Sequence, residues 1–416
     1  MARRISIATI ATMGVTVLVV IGASGAFAKS SRPASAASVF VGGPNSFTGI
    51  DVPHDRVAFT FGQSVATPDW SRFVTASPSS GYRTAVVLRA ASTGQALARE
   101  TVVGRWTVRS VTRDGNRVLL LPAGTTGGAY SPIGRTSTHL TLITLDRRAH
   151  RTVVLDGNYE PEAFTADGKG LVVLEYTPKL SPHYYQVRLL DLTKNKVRDL
   201  RARNGGTQEV MQGHAVAQAL SPDGRRLYTY YVRAGDGSTP PEAFVHTLDL
   251  EHKWAECVDL PSSFVTDSAA AAAVSPDGRH LYVAAPRAGV VAAIDTRRLG
   301  IERTAPLEWF DDGTGGPASA AVDRDGNLVV AAGARVRVVG SALQSSLAVD
   351  ASDYQIWGVG RSRSGHRVFL GTTEGVAEVD AANARIVREL DLQLGNVDHL
   401  APGLAPLSIS GYPEKQ

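Results

Sequence analysis

Among 416 residues there is one cysteine, Cys257, which excludes an intramolecular disulfide and a cysteine-based zinc site. The ten histidines are scattered, with no His-x-x-x-His or His-Glu-x-x-His spacing for a metal. No Gly-x-Ser-x-Gly elbow and no glycine-rich phosphate loop ending in Lys-Ser/Thr is present, which removes two common routes to hydrolysis and nucleotide binding. Charge of one sign is scarce too. Lys+Arg is 43 and Asp+Glu 39, a net +4 without any basic block, so no nucleic-acid partner is expected. Beyond residue 28 no uncharged stretch is long enough to cross a membrane, and no amphipathic helical pattern of useful length occurs.

What is present suits a globular protein. Hydrophobic residues are 43% and charged residues 20%, enough to bury a sizeable core. Met1-Ala2-Arg3-Arg4 is a short positive start. An uncharged run, Ile5 to Ala28, follows and ends in the small-x-small trio Ala26-Phe27-Ala28. In that order these parts predict a secretory signal peptide at 1–28; an uncleaved N-terminal anchor is the alternative. Residues 29–50 read as a flexible spacer and 51–416 as a single domain. The expected location is outside a bacterial cell or in its envelope, with no membrane span left once the signal is cleaved.

The domain repeats itself. A turn landmark recurs as Thr112-Arg113-Asp114-Gly115, Thr165-Ala166-Asp167-Gly168, Ser221-Pro222-Asp223-Gly224, Ser275-Pro276-Asp277-Gly278, Asp323-Arg324-Asp325-Gly326 and Ser362-Arg363-Ser364-Gly365, its glycines 53, 56, 54, 48 and 39 residues apart. A degenerate copy, Thr67-Pro68-Asp69-Trp70, precedes them. Ser or Thr bonds a nearby N–H, Pro presets φ, and Gly supplies the positive φ that turns one strand back on the next. A second landmark, an apolar residue then Asp, closes a later strand at Leu145-Asp146, Leu190-Asp191, Leu248-Asp249, Ile294-Asp295 and Val379-Asp380. The small segments Ala215–Ala219, Ala269–Ala273 and Ala318–Val322 read as innermost strands converging on an axis. Four short strands per ~50 residues is the period of propeller blades. The expected fold is all-β: a propeller of seven four-stranded blades, with six or eight also open.

Ser275-Pro276-Asp277-Gly278 followed by Leu281-Tyr282-Val283 and Ile294-Asp295-Thr296 resembles the YVTN and TolB-like (WD40-like) repeats of exported bacterial propellers. The resemblance covers about residues 55–392. It implies blade architecture and no particular activity, because such folds host binding proteins, assembly factors and enzymes.

Loops between second and third strands share a face with those entering the innermost strands. From turn Gly to landmark Asp the chain runs 31, 23 and 25 residues in blades two to four, against 17 and 15 in blades five and seven. This face, with Tyr130, Tyr184 and Tyr185, is the expected docking surface for a protein or small-molecule ligand. Acids precede the innermost strands: Glu160 and Glu162 beside Tyr159, then Glu209, Asp267, Asp311 and Asp312. His214 stands near the channel mouth. No cofactor is predicted, although converging oxygens there would suit Ca²⁺ or Mg²⁺. Cys257 is expected as a buried structural thiol. Two functions follow: a binding module without catalytic residues, or a channel-mouth enzyme, a lactonase-like hydrolase or lyase using a divalent metal.

Overall fold

The computed structural model describes residues 39–43, 46–62, 64–124, 133–235, 239–265, 270–308, 318–351, 353–362, 365–372, 375–392 and 399–402. They form a propeller of eight blades, not seven. Blades 1 to 7 occupy residues 64–103, 106–156, 158–199, 214–260, 271–306, 318–349 and 356–391. Each is an antiparallel meander running outward from an inner strand. The eighth is assembled from both chain ends: Val39–Gly43, Ser46–Asp51 and Arg56–Phe61 supply its three outer strands, and His399–Pro402 its inner one. Val39 pairs with Pro402 and Gly42 with His399, antiparallel. Among the described residues strand structure begins at Val39, inside the stretch expected to be spacer. The segment Leu404–Ile409, one candidate for the closing strand, lies outside the described residues, as do residues 1–38.

The miscount has a physical cause. The Asp-Gly landmark marks the turn from an inner strand to the next. Blade 8 has no such turn, because its inner strand and its neighbour come from opposite ends of the chain. Its other landmark is present: Ile50-Asp51 ends the third strand, and the buried Asp51 carboxylate receives His54 Nδ1 at 2.9 Å and Arg56 Nη2 at 3.2 Å.

The landmarks work as turn chemistry requires. In Ser221-Pro222-Asp223-Gly224 the serine hydroxyl donates to Asp223 at 2.6 Å and accepts Arg226 N–H at 2.9 Å, while Gly224 takes φ +68°. Trp70 adopts the same left-handed conformation, φ +55°, without being glycine. The second landmark caps the outer turn: the Asp295 carboxylate accepts Arg297 and Arg298 N–H, both at 2.7 Å.

Eight apolar clusters hold the described residues together, and each is shared by two neighbouring blades. Second strands are sandwiched on both faces, so Leu328–Ala332 is a continuous buried hydrophobic run. Outer strands face solvent on one side and alternate, as in Ala149–Asp156. In blade 8, Val39 and Val41 pack toward blade 7, while Phe40 joins Phe47, Trp70 and Phe73 at the seam with blade 1. No blade carries its own core. Blade 4 has a fifth strand, Arg201–Ala202, which leaves blade 3 and lies parallel to Trp254–Ala255, stitching the two blades along their rim. Among the described residues no helix is long and apolar enough to cross a membrane.

Candidate functional site

Inner strands near the axis favour small residues, and Ala271–Val274 and Ala318–Val322 conform. Blades 2 and 3 depart from this. In Trp106–Val111 the register shifts between Val108 and Ser110, leaving Arg109 as the extra residue. In Asn158–Phe164 it shifts between Pro161 and Ala163, leaving Glu162. A bulge re-aims its extra side chain, and here two successive bulges bring an arginine and a glutamate together.

Arg109 Nε donates to Pro161 O at 3.0 Å and lies 3.5 Å from Glu160 Oε1; its Nη2 is 3.9 Å from Glu162 Oε1. Arg135, entering the third strand of blade 2, meets Glu160 Oε2 at 2.7 Å and the Tyr159 carbonyl at 2.9 Å. Gln218 Nε2, on the inner strand of blade 4, donates to Glu162 Oε2 at 3.1 Å and to Thr229 Oγ1 at 3.0 Å. Behind Glu162 stand Tyr176, Tyr185 and Tyr231, successive ring centroids 5.8 and 5.4 Å apart. Burial raises all three phenols, and the Glu162 charge pushes in the same direction. Burial likewise pushes Glu162 up to about 7; Arg109 opposes this and Glu160 adds to it. A carboxyl that exchanges its proton near neutrality thus sits on the axial side of blade 3. The buried Asn158 fixes the rim above it, donating to Ile133 O at 2.8 Å and Lys179 O at 3.1 Å and so tying the blade 2 and blade 3 loops together.

Of the expected site residues, Tyr159, Glu160, Glu162 and Tyr185 are brought together. Glu160 and Glu162 belong to the inner strand itself rather than to a loop before it. Tyr159 is buried and donates to Glu175 Oε1 at 2.9 Å, while Arg188 Nε donates to Glu175 Oε2 at 2.7 Å. Tyr184 is 47% exposed on the rim. Glu209 lies exposed on the connection between blades 3 and 4, apart from the cluster. His214 opens the inner strand of blade 4, and burial lowers its pKa, favouring the neutral ring. Tyr130, Asp267, Asp311 and Asp312 lie outside the described residues. Cys257 is exposed rather than buried, because its outer strand has one solvent face; its sulfur lies 3.8 Å from that of Met211. Packing around that sulfur, then Asp259, Glu209 and Glu256, push the thiol up to about 12.

Sequence reasoning missed Arg109, Arg135, Tyr176, Gln218 and Tyr231. The available signal was Arg109, a charge in the middle of an inner strand. With it in place, Glu160 and Glu162 are neutralised by guanidinium groups. Among the described residues no group of three or more His, Cys, Asp or Glu could hold a metal ion.

No protein-family model matches the chain, and no curated protein does. Solved structures do. Dihydro-heme d1 dehydrogenase NirN, in complex with DHE, is 15% identical with a TM-score of 0.55, covering 90% of this chain and 76% of that one. Hydrazine synthase of Kuenenia stuttgartiensis is 13% identical with a TM-score of 0.43, covering 79% and 99%. Apo AztD of Citrobacter koseri is 10% identical with a TM-score of 0.38, covering 75% and 94%. At 15% identity the likeness to NirN shows the fold alone.

Proposed function

We propose that this protein is an exported binding module of the YVTN/TolB-like kind, which takes its ligand on the face formed by the loops of blades 2 to 4. The observation that carries this is the Arg109–Glu160–Glu162 cluster, which two successive bulges bring together on the inner strands of blades 2 and 3. Desolvated charges are costly to hold, and carboxyls perturbed by burial beside a charge partner cluster at functional sites. The rim beside it exposes apolar side chains, Leu180 at 69%, Val210 at 61% and Tyr184 at 47%, between the exposed polar Lys179, His183 and Glu209. Exposed aromatic and aliphatic side chains around a polar centre are what a binding surface presents. Export belongs to the same reading, with cleavage after Ala28; N-terminal sequencing of the secreted form should start at Lys29, and an intact Met1 would leave the anchored form.

The test is chemical crosslinking in the cell envelope, comparing the wild type with a variant carrying Leu180→Ser, Tyr184→Ser and Val210→Ser. A control carries Leu347→Ser and Val387→Ser on outer strands. Loss of crosslinked partners in the first and retention in the second supports the face; equal yield in both removes it. A second reading, a channel-mouth enzyme, draws on Glu162 alone, since a carboxyl near neutrality can act as general acid or base. Turnover of a lactone and ester panel, abolished by Glu162→Gln, would select it. No turnover with or without added Ca²⁺ or Mg²⁺ would retire it.

A further inference from the structure

A second polar feature stands on the axis among different blades. Arg361 ends the inner strand of blade 7, Ile356–Arg361, and is only 6% exposed. It borders a cavity of about 40 Å³ whose other lining side chains, from blades 4 to 7, are all apolar, among them Ala219, Pro222, Ala272, Ala320 and Val359. Arg109, Arg135 and Arg226 each reach a carboxylate. Arg361 reaches none among the described residues and makes no hydrogen bond there. Burial lowers its pKa to about 10, so it stays charged at neutral pH. Holding a buried cation without a counter-charge is costly, and this cation faces the cavity rather than packed chain.

We propose that this cavity binds a small monocarboxylate, the Arg361 guanidinium taking both carboxylate oxygens and the alanine wall taking a short aliphatic tail. The planar fork matches a carboxylate in two parallel bonds. A dianion such as phosphate would bring a second charge and further oxygens, and apart from Arg361 no lining side chain has a donor for them. The volume exceeds the ~10–15 Å³ that one water needs and accommodates only a few heavy atoms.

The experiment is calorimetric titration of the full-length protein with propionate in chloride-free buffer, repeated with chloride and with inorganic phosphate. One saturable propionate site is expected in the wild type, weakened at least ten-fold in Arg361→Met. Ala272→Leu fills the cavity while keeping the guanidinium, and should weaken binding to the same degree; it keeps the test decisive if Arg361→Met fails to fold. Propionate should also raise the melting temperature of the wild type and of neither variant. Absence of a saturable propionate site, saturation by chloride or phosphate alone, or unchanged propionate affinity in Ala272→Leu would overturn the assignment.

Discussion

Replacing Trp70 by glycine sets two effects of opposite sign against each other. Trp70 holds φ +55° at the position that glycine fills in the well-formed repeats. A side chain in that region costs about 1–2 kcal/mol. Glycine relieves this cost but loses more backbone freedom on folding, about 0.5–1 kcal/mol, so the conformational gain is at most about 1.5 kcal/mol. Against it stands burial. The Trp70 ring is 9% exposed and lies 5.5 Å from the Phe40 ring and 6.4 Å from that of Phe47. Removing a buried Trp side chain costs about 3–5 kcal/mol. Trp70→Gly should therefore destabilise the protein by about 3 kcal/mol, although it restores the consensus turn. The assay is urea unfolding followed by far-UV circular dichroism, with hydrogen exchange over 39–51. The midpoint should fall, and exchange in those strands should quicken, because the lost ring belongs to the seam between blades 8 and 1. An unchanged or higher midpoint would refute the reasoning.

Glu162→Gln should alter how stability depends on pH. The native pKa of Glu162 is raised to about 7 from 4.5, so the fold favours the protonated form; that stabilisation is complete below pH 4.5 and is lost as pH rises through 7. The wild type should lose up to about 3 kcal/mol relative to the variant across this window, and parallel stability curves from pH 4 to 8 would contradict it. Asp51→Ala should cost roughly 2 kcal/mol, because Arg56 and His54 lose the buried carboxylate they share; a thermal melt unaffected by the change would count against that role. Ser221→Ala removes the three hydrogen bonds that the hydroxyl makes in the blade 4 turn, to Asp223 and from the Arg225 and Arg226 N–H groups, and should cost about 1 kcal/mol, read from the urea midpoint; no shift would mean that the turn holds without its hydroxyl.

The architecture was legible because blades announce themselves through turns. Ser221-Pro222-Asp223-Gly224 and its relatives need particular residues at particular φ values, so they survive as text. The small inner strands were legible for a similar reason, since crowding at the axis selects alanine. Blade 8 was hidden because the turn that would have marked it is replaced by two chain ends, although Ile50-Asp51 carried the other half of its signature. The candidate site was half legible: Glu160 and Glu162 stood out as acids, but their partners come from blades 2 and 4. Arg109 reaches Glu162 only because each strand gains one extra residue, and a bulge leaves no fixed mark in sequence. Arg361 could not be read as isolated, since isolation depends on what four blades fail to place beside it.

The pairing of Val39 with Pro402 also sets a timetable. As a ribosome makes this chain, the three outer strands of blade 8 emerge before blades 1 to 7, and their missing neighbour emerges after them. Until then the Val39–Gly43 edge offers unpaired amides and carbonyls to any passing strand. Circularity is thus the last event in assembling the ring, and the Val39 strand must wait, unsatisfied, until all seven intervening blades have been made.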